Sequence, residues 1–160
     1  MAALSFTWTL QHHGWAFCRV TDGQAEAEAM ASYVTGGPEQ FLYAIARLAL
    51  TEPETRAEFE AEPRWFFRRE GAEVEMRLVM ADDFQAPDSS GSVLWSSRQP
   101  IDVLCRAAIR AFDQVAHDLG EDGYEAQWGR PFPRNELQGL RTAWRGLQGV
   151  ADSVKLNGSP

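Results

Sequence analysis

Two stretches of this chain alternate apolar and polar side chains with a period of two, and that pattern constrains the fold more than any other feature. The first is Phe6-Thr7-Trp8-Thr9-Leu10, followed by a loop at residues 11–14 and the β-rich run Trp15 to Val20. In the second, Val74, Met76, Leu78 and Met80 alternate with Glu73, Glu75, Arg77 and Val79, preceded by residues 64–69 and a turn at Glu70-Gly71. Successive side chains on a strand point to opposite faces, so both stretches predict antiparallel hairpins with one covered and one wet face. Asp22-Gly23 supplies a further hairpin turn. Residues 25–33 are ambiguous: their period of two favours a third strand, while their Ala and Glu content favours helix.

Helical spacing takes over elsewhere. Gly36-Gly37-Pro38 with Glu39 reads as a helix start, and Phe41, Leu42, Ile45, Leu48 and Ala49 form its apolar stripe. Thr51-Glu52-Pro53 ends it. The charged segment 54–62 reads as a short exposed helix or an irregular edge, residues 81–92 as a surface loop, and Val93 to Ser97 as a strand. Pro100 opens the clearest helix, with Ile101, Leu104, Cys105, Ala108, Phe112, Val115 and Leu119 on one face. Asp102, Arg106, Arg110, Asp113 and His117 share the other, and Gly120 is a C-terminal cap. Tyr124 to Trp128 adds a helical turn, and a last helix from about Pro133 turns Leu137, Leu140, Trp144 and Leu147 inward.

The predicted order is β-β-β-α-β-β-β-α-α. No strand-helix-strand unit repeats, which disfavours a parallel doubly wound sheet. The expectation is an α+β domain over residues 1–150, an antiparallel sheet of about six strands with helices on one face, and a frayed tail at residues 151–160. A chain of 160 residues buries roughly 70% of its unfolded surface, enough for a core without staples.

The net charge of -8 disfavours a nucleic-acid partner, since phosphate neutralisation needs clustered Lys and Arg; Arg64, Arg68 and Arg69 are the one local exception. Acidity suits solubility or a basic protein partner steered by long-range attraction. The opening residues lack a charged segment followed by an apolar one, and no apolar run has membrane-spanning length, so a cytoplasmic protein is expected, with Cys18 and Cys105 as free core thiols.

His12-His13 would need further ligands to hold a metal, and adjacent strand residues face opposite ways. His117 lies on a solvent stripe near Asp113. Cys18 alternates with Ala16 and Val20, as core does, and Cys105 sits on an apolar helix face; neither has the nearby base of a nucleophile. The spacing of Asp82, Asp83 and Asp88 is not that of a calcium loop, and phosphate loops and the nucleophile elbow are absent. The expectation is therefore no cofactor, no metal and no catalytic set, with enzymatic activity left open. Trp8, Trp15, Trp65, Trp95, Trp128 and Trp144 read mostly as core anchors, and an exposed Trp rimmed by acids would mark an interface.

Some groupings carry a resemblance: Trp8 with Gly14-Trp15, Ser32-Tyr33 before Gly37-Pro38, and Glu62-Pro63-Arg64-Trp65. So does the stretch Gly123-Tyr124, Trp128, Phe132-Pro133, Leu137 and Leu140. In these the chain resembles uncharacterised small bacterial α+β proteins of high-GC organisms, which in size, acidity and layout are similar to immunity proteins of bacterial toxin systems. The resemblance implies a non-enzymatic protein-binding protein, an immunity- or antitoxin-like inhibitor docking a basic partner. Glu58, Glu60, Glu62, Asp82, Asp83 and Asp88 are the candidate partner-binding residues. The alternative is a small-molecule-binding protein or enzyme using a pocket between sheet and helices. As for assembly, either a monomer or a homodimer joined by an exposed strand edge is expected.

Overall fold

The computed structural model describes residues 4–11, 14–32, 36–58, 64–80 and 92–157. Strands β1 (Ser5–Leu10), β2 (Trp15–Thr21) and β3 (Glu26–Ser32) form one antiparallel sheet in that order. Helix α1 (Gly37–Leu50) follows. Strands β4 (Glu54–Glu58), β5 (Arg64–Glu70), β6 (Glu73–Met80) and β7 (Ser92–Pro100) make a second antiparallel sheet, again in chain order. Helices α2 (Ile101–Trp128) and α3 (Arg134–Asn157) complete the chain. The fold is α+β, as the alternation predicts.

Three details differ from the sequence-based expectation. The described strands form two sheets, of three and four strands, rather than one of about six. Where β3 and β7 approach, side chains replace a hydrogen-bond ladder: Trp95 Nε1 donates to the Ala25 carbonyl at 3.0 Å and Ser97 Oγ to Asp22 Oδ2 at 3.0 Å. Asp22 also accepts the N–H groups of Ala25 and Gln24, and these bonds hold its carboxyl below the usual range. Second, residues 54–58 are a strand, β4. Its inward side chains are Thr55 and Ala57, and the Thr55 hydroxyl donates to the Ala44 carbonyl of α1 at 2.9 Å. Third, the backbone is helical past Val150, to Asn157. In the ambiguous segment, period prevails over composition, because Ala29 and Ala31 are buried against the helices in register with Cys18 and Ala16.

Gly120 divides α2. Its φ of 70° and ψ of 163° break the helix without ending it, and Tyr124 and Trp128 on the second segment are buried. Arg69 closes the end of α1 by donating to the carbonyls of Leu48 and Ala49, each at 3.0 Å, where a cation suits the helix dipole. Asp102 ties α3 to α2 by accepting from Trp144 Nε1 at 2.8 Å and Gln148 Nε2 at 2.5 Å.

The inner faces of both sheets and the apolar stripes of the helices share one core. At its centre lies Phe41 of α1, fully buried, whose ring meets Phe6 and Trp8 of the first sheet at 5.0 and 5.6 Å. The same ring meets Trp65 and Phe67 of the second sheet at 6.0 and 6.4 Å. Further rings continue the chain from Trp8 to Phe112, Phe132 and Tyr124. Truncating the hub empties a site walled by both sheets. Phe41→Ala should lower unfolding stability by about 3–5 kcal/mol and Phe41→Leu by clearly less. Denaturant unfolding followed by Trp fluorescence checks both, and equal losses would contradict the ring packing.

Candidate functional site

The acids singled out from the sequence are mostly beyond structural reach: Glu60, Glu62, Asp82, Asp83 and Asp88 lie outside the described residues, as do His12 and His13. Glu58 ends β4, where it pairs with Arg56 at 3.4 Å while its N–H donates to the Gln40 side chain. Among Arg64, Arg68 and Arg69, Arg68 is neutralised by Glu70 and Glu75 and Arg69 is spent on helix carbonyls. His117 contacts Asp118, not Asp113, whose carboxylate accepts from Arg141 instead. Cys18 and Cys105 are core residues; burial pushes the Cys18 thiol far up and that of Cys105 to about 12, so both stay protonated at neutral pH.

Carboxylates converge elsewhere. The start of α1, the segment of α2 after Gly120, the connection Gly129 to Pro133 and the start of α3 enclose a cleft of about 840 Å³. Glu39, Glu121, Asp122, Glu125 and Glu136 line it, against the guanidiniums of Arg130 and Arg134. The local sequence explains the approach. Gly36 precedes α1 with a φ of 62°, and a Cβ there would stand 3.0 Å from Glu39 Oε2 and 3.2 Å from Arg130 Nη1. A side chain would meet both the left-handed backbone penalty and these two groups. Pro38, in the first turn of α1, fixes the backbone that carries Glu39.

Only part of this charge is neutralised inside the cleft. Arg134 clasps Glu121 with two parallel hydrogen bonds, from Nε to Oε1 at 3.0 Å and from Nη2 to Oε2, and this pairing lowers the Glu121 pKa. Asp122, Glu125 and Glu136 have no ion pair among the described residues. Glu39 is the most constrained member. Its Oε2 is sealed from solvent without a hydrogen-bond partner among the described residues. Burial raises its pKa, as does the charge of Glu136, against the lowering effects of its own backbone N–H and of Arg130. Behind it lies Tyr124, 0% exposed, whose hydroxyl likewise has no hydrogen-bond partner among the described residues. Burial first, then the charges of Glu39 and Glu136, push that phenol far above its ordinary range.

The cleft thus concentrates negative potential at a half-desolvated wall, a setting that attracts an organic cation. No group of three or more His, Cys, Asp or Glu among the described residues is arranged to hold a metal ion. In the sequence Glu39 stands out only as a helix-start acid. The spacing of Glu121, Asp122 and Glu125 was the available signal for the rest, yet only helix packing brings them to Glu39 and Glu136. Of the tryptophans, Trp15 is the exposed one at 39%, on the outer face of the first sheet near Met30. Among the described residues no helix is long and apolar enough to cross a membrane. No family model, curated protein or solved structure matches the chain.

The raised Glu39 pKa makes a pH prediction. A carboxyl that binds its proton more tightly when folded adds stability below the ordinary glutamate value of 4.5. That contribution is lost as pH rises through the folded value. Glu39→Gln should therefore raise Tm at pH 7, with the difference vanishing in acid. Calorimetry at several pH values checks this, and a variant less stable at neutral pH would contradict it.

Proposed function

We propose that this chain is a protein-binding domain that docks a basic partner by seating an Arg or Lys side chain in the acidic cleft between α1, α2 and α3. The observation that carries the reading is the convergence of five carboxylates from separate segments on one cleft, of which Glu121 is clasped by Arg134 while Asp122, Glu125 and Glu136 have no ion pair among the described residues. A guanidinium entering beside Asp122, Glu125 and Glu136 gains charge-assisted hydrogen bonds and relieves the electrostatic load on Glu39. Long-range attraction from the net charge of -8 would speed the encounter. Binding without chemistry also suits the resemblance to immunity proteins, in which the partner would be a basic toxin held inactive.

The test is recovery of partners from the native host by the wild-type chain and by Glu125→Gln/Glu136→Gln, compared by mass spectrometry. The expected result is a stoichiometric basic protein with the wild type, its Kd raised about tenfold or more in the double variant and weakened by salt. A partner bound equally by both chains, or no stoichiometric partner, would sink the reading.

A further inference from the structure

The first sheet has an open side. In its ladder Gln11 N–H donates to the Trp15 carbonyl at 2.7 Å, so with the register Phe6↔Val20 and Leu10↔Ala16 the residues Ser5, Thr7 and Thr9 exchange hydrogen bonds with β2. The backbone groups of Phe6 and Leu10 therefore point away from β2, along an edge where the described residues place no strand. The Leu10 carbonyl on that edge already accepts a bond from the Gln127 side chain at 2.8 Å, as it would from a neighbouring strand. Between this edge and α2 runs a groove of about 590 Å³, walled by β1 and by the flank of α2 that carries Ala107, Arg110, Ala111, Gln114 and Asp118.

Proteins block bare edges with charges, proline, bulges or short strands. The edge strand β4 conforms: it has five residues, turns Glu54, Arg56 and Glu58 outward and lies against α1. β1 also packs against α2, but its six residues, SFTWTL, include neither a charge nor a proline. Such an edge favours pairing.

We propose that the occupant of this groove is a second copy of the chain, with β1 paired antiparallel to the partner's β1 about a two-fold axis near Trp8. The charges on the flank of α2 carry the choice of occupant. Arg110, Gln114 and Asp118 follow one another at four-residue intervals on one ridge of the helix. Arg110 has no ion pair among the described residues, and Asp118 meets only Gln114 at 2.8 Å and His117 at 3.4 Å. A two-fold axis passing Gln114 sets Arg110 of each copy opposite Asp118 of the other, the self-complementarity an isologous interface requires. Strand and helix share that axis. Trp8 and Gln114 both line the groove, and the Leu10 end of β1 lies towards the C-terminal end of α2, where Gln127 meets it. In the pair, Phe6 and Leu10 exchange backbone bonds across the axis, the Phe6 N–H of the other copy replacing the Gln127 side chain on the Leu10 carbonyl, while Ala107 and Ala111 let the two α2 helices approach. The acidic cleft lies at the other side of α2, so the dimer carries two copies of it.

Sedimentation and light scattering across the micromolar range test the assembly, with Arg110→Asp, Asp118→Arg and the double swap. The wild type should be dimeric, each single reversal should weaken dimerisation about tenfold or more by opposing like charges, and the double swap should restore it. Hydrogen exchange gives a second reading: the Phe6 and Leu10 amides should gain protection with rising concentration. A monomer throughout the range would overturn the proposal. So would a dimer indifferent to the single reversals with unprotected β1 amides, and so would a monomer whose β1 amides are protected only when another protein is added.

Discussion

The packing of one ring organises this molecule. The ring of Phe41 in α1 meets aromatic rings of both sheets. The sheets themselves exchange side-chain bonds, not a ladder, at their near edge. An aromatic side chain removes a large area from water, and the edge-to-face arrangement around Phe41 adds to that burial. Its position fixes the helix axis, and the axis fixes where the first turn of α1 ends. Gly36, Pro38 and Glu39 therefore meet α2 and α3 at a place set by the core. The same chain of rings reaches Phe132 and Tyr124, which back the cleft.

Charge is distributed unevenly over this frame. On the outer face of the second sheet arginines and glutamates alternate and neutralise one another, as Arg68 does with Glu70 and Glu75 and Arg98 with Glu70. Such exposed pairs contribute little stability, about 0–1 kcal/mol each, but they leave that face without a net field. The acidic excess of the chain gathers in part at the three-helix cleft, where burial of Glu39 and Tyr124 lowers the local dielectric and magnifies the unpaired charge. Part of the net acidity is thus gathered at one place rather than spread evenly over the surface.

Much of the fold was legible because its large side chains obey simple periods. Phe6, Trp8 and Leu10, and again Val74, Met76 and Leu78, alternate too regularly for anything but half-covered strands. The kink at Gly120 was visible as a helix stop followed by another turn. β4 was not legible: Thr55 and Ala57 are too small to register as an apolar face, and pairing with β5 and the bond to Ala44 specify the strand. The cleft was hidden for a related reason. Glu39, Glu125 and Glu136 each read locally as an ordinary helix-surface acid, and only the crossing of three helices makes them neighbours. The acids at positions 60–62 and 82–88 drew attention because they cluster in sequence, which says little about clustering in space.

The acidic cleft as a seat for a cationic side chain is the claim on which the functional account rests, and Glu39 reports on it directly. Its carboxyl can be titrated by carbon-detected NMR, first in the free protein and then with a saturating arginine-rich peptide. The account predicts a pKa above the ordinary glutamate value in the free protein and a fall when the peptide binds, since a cation beside a carboxylate favours its charged form. An unchanged Glu39 titration in the presence of bound peptide would contradict it.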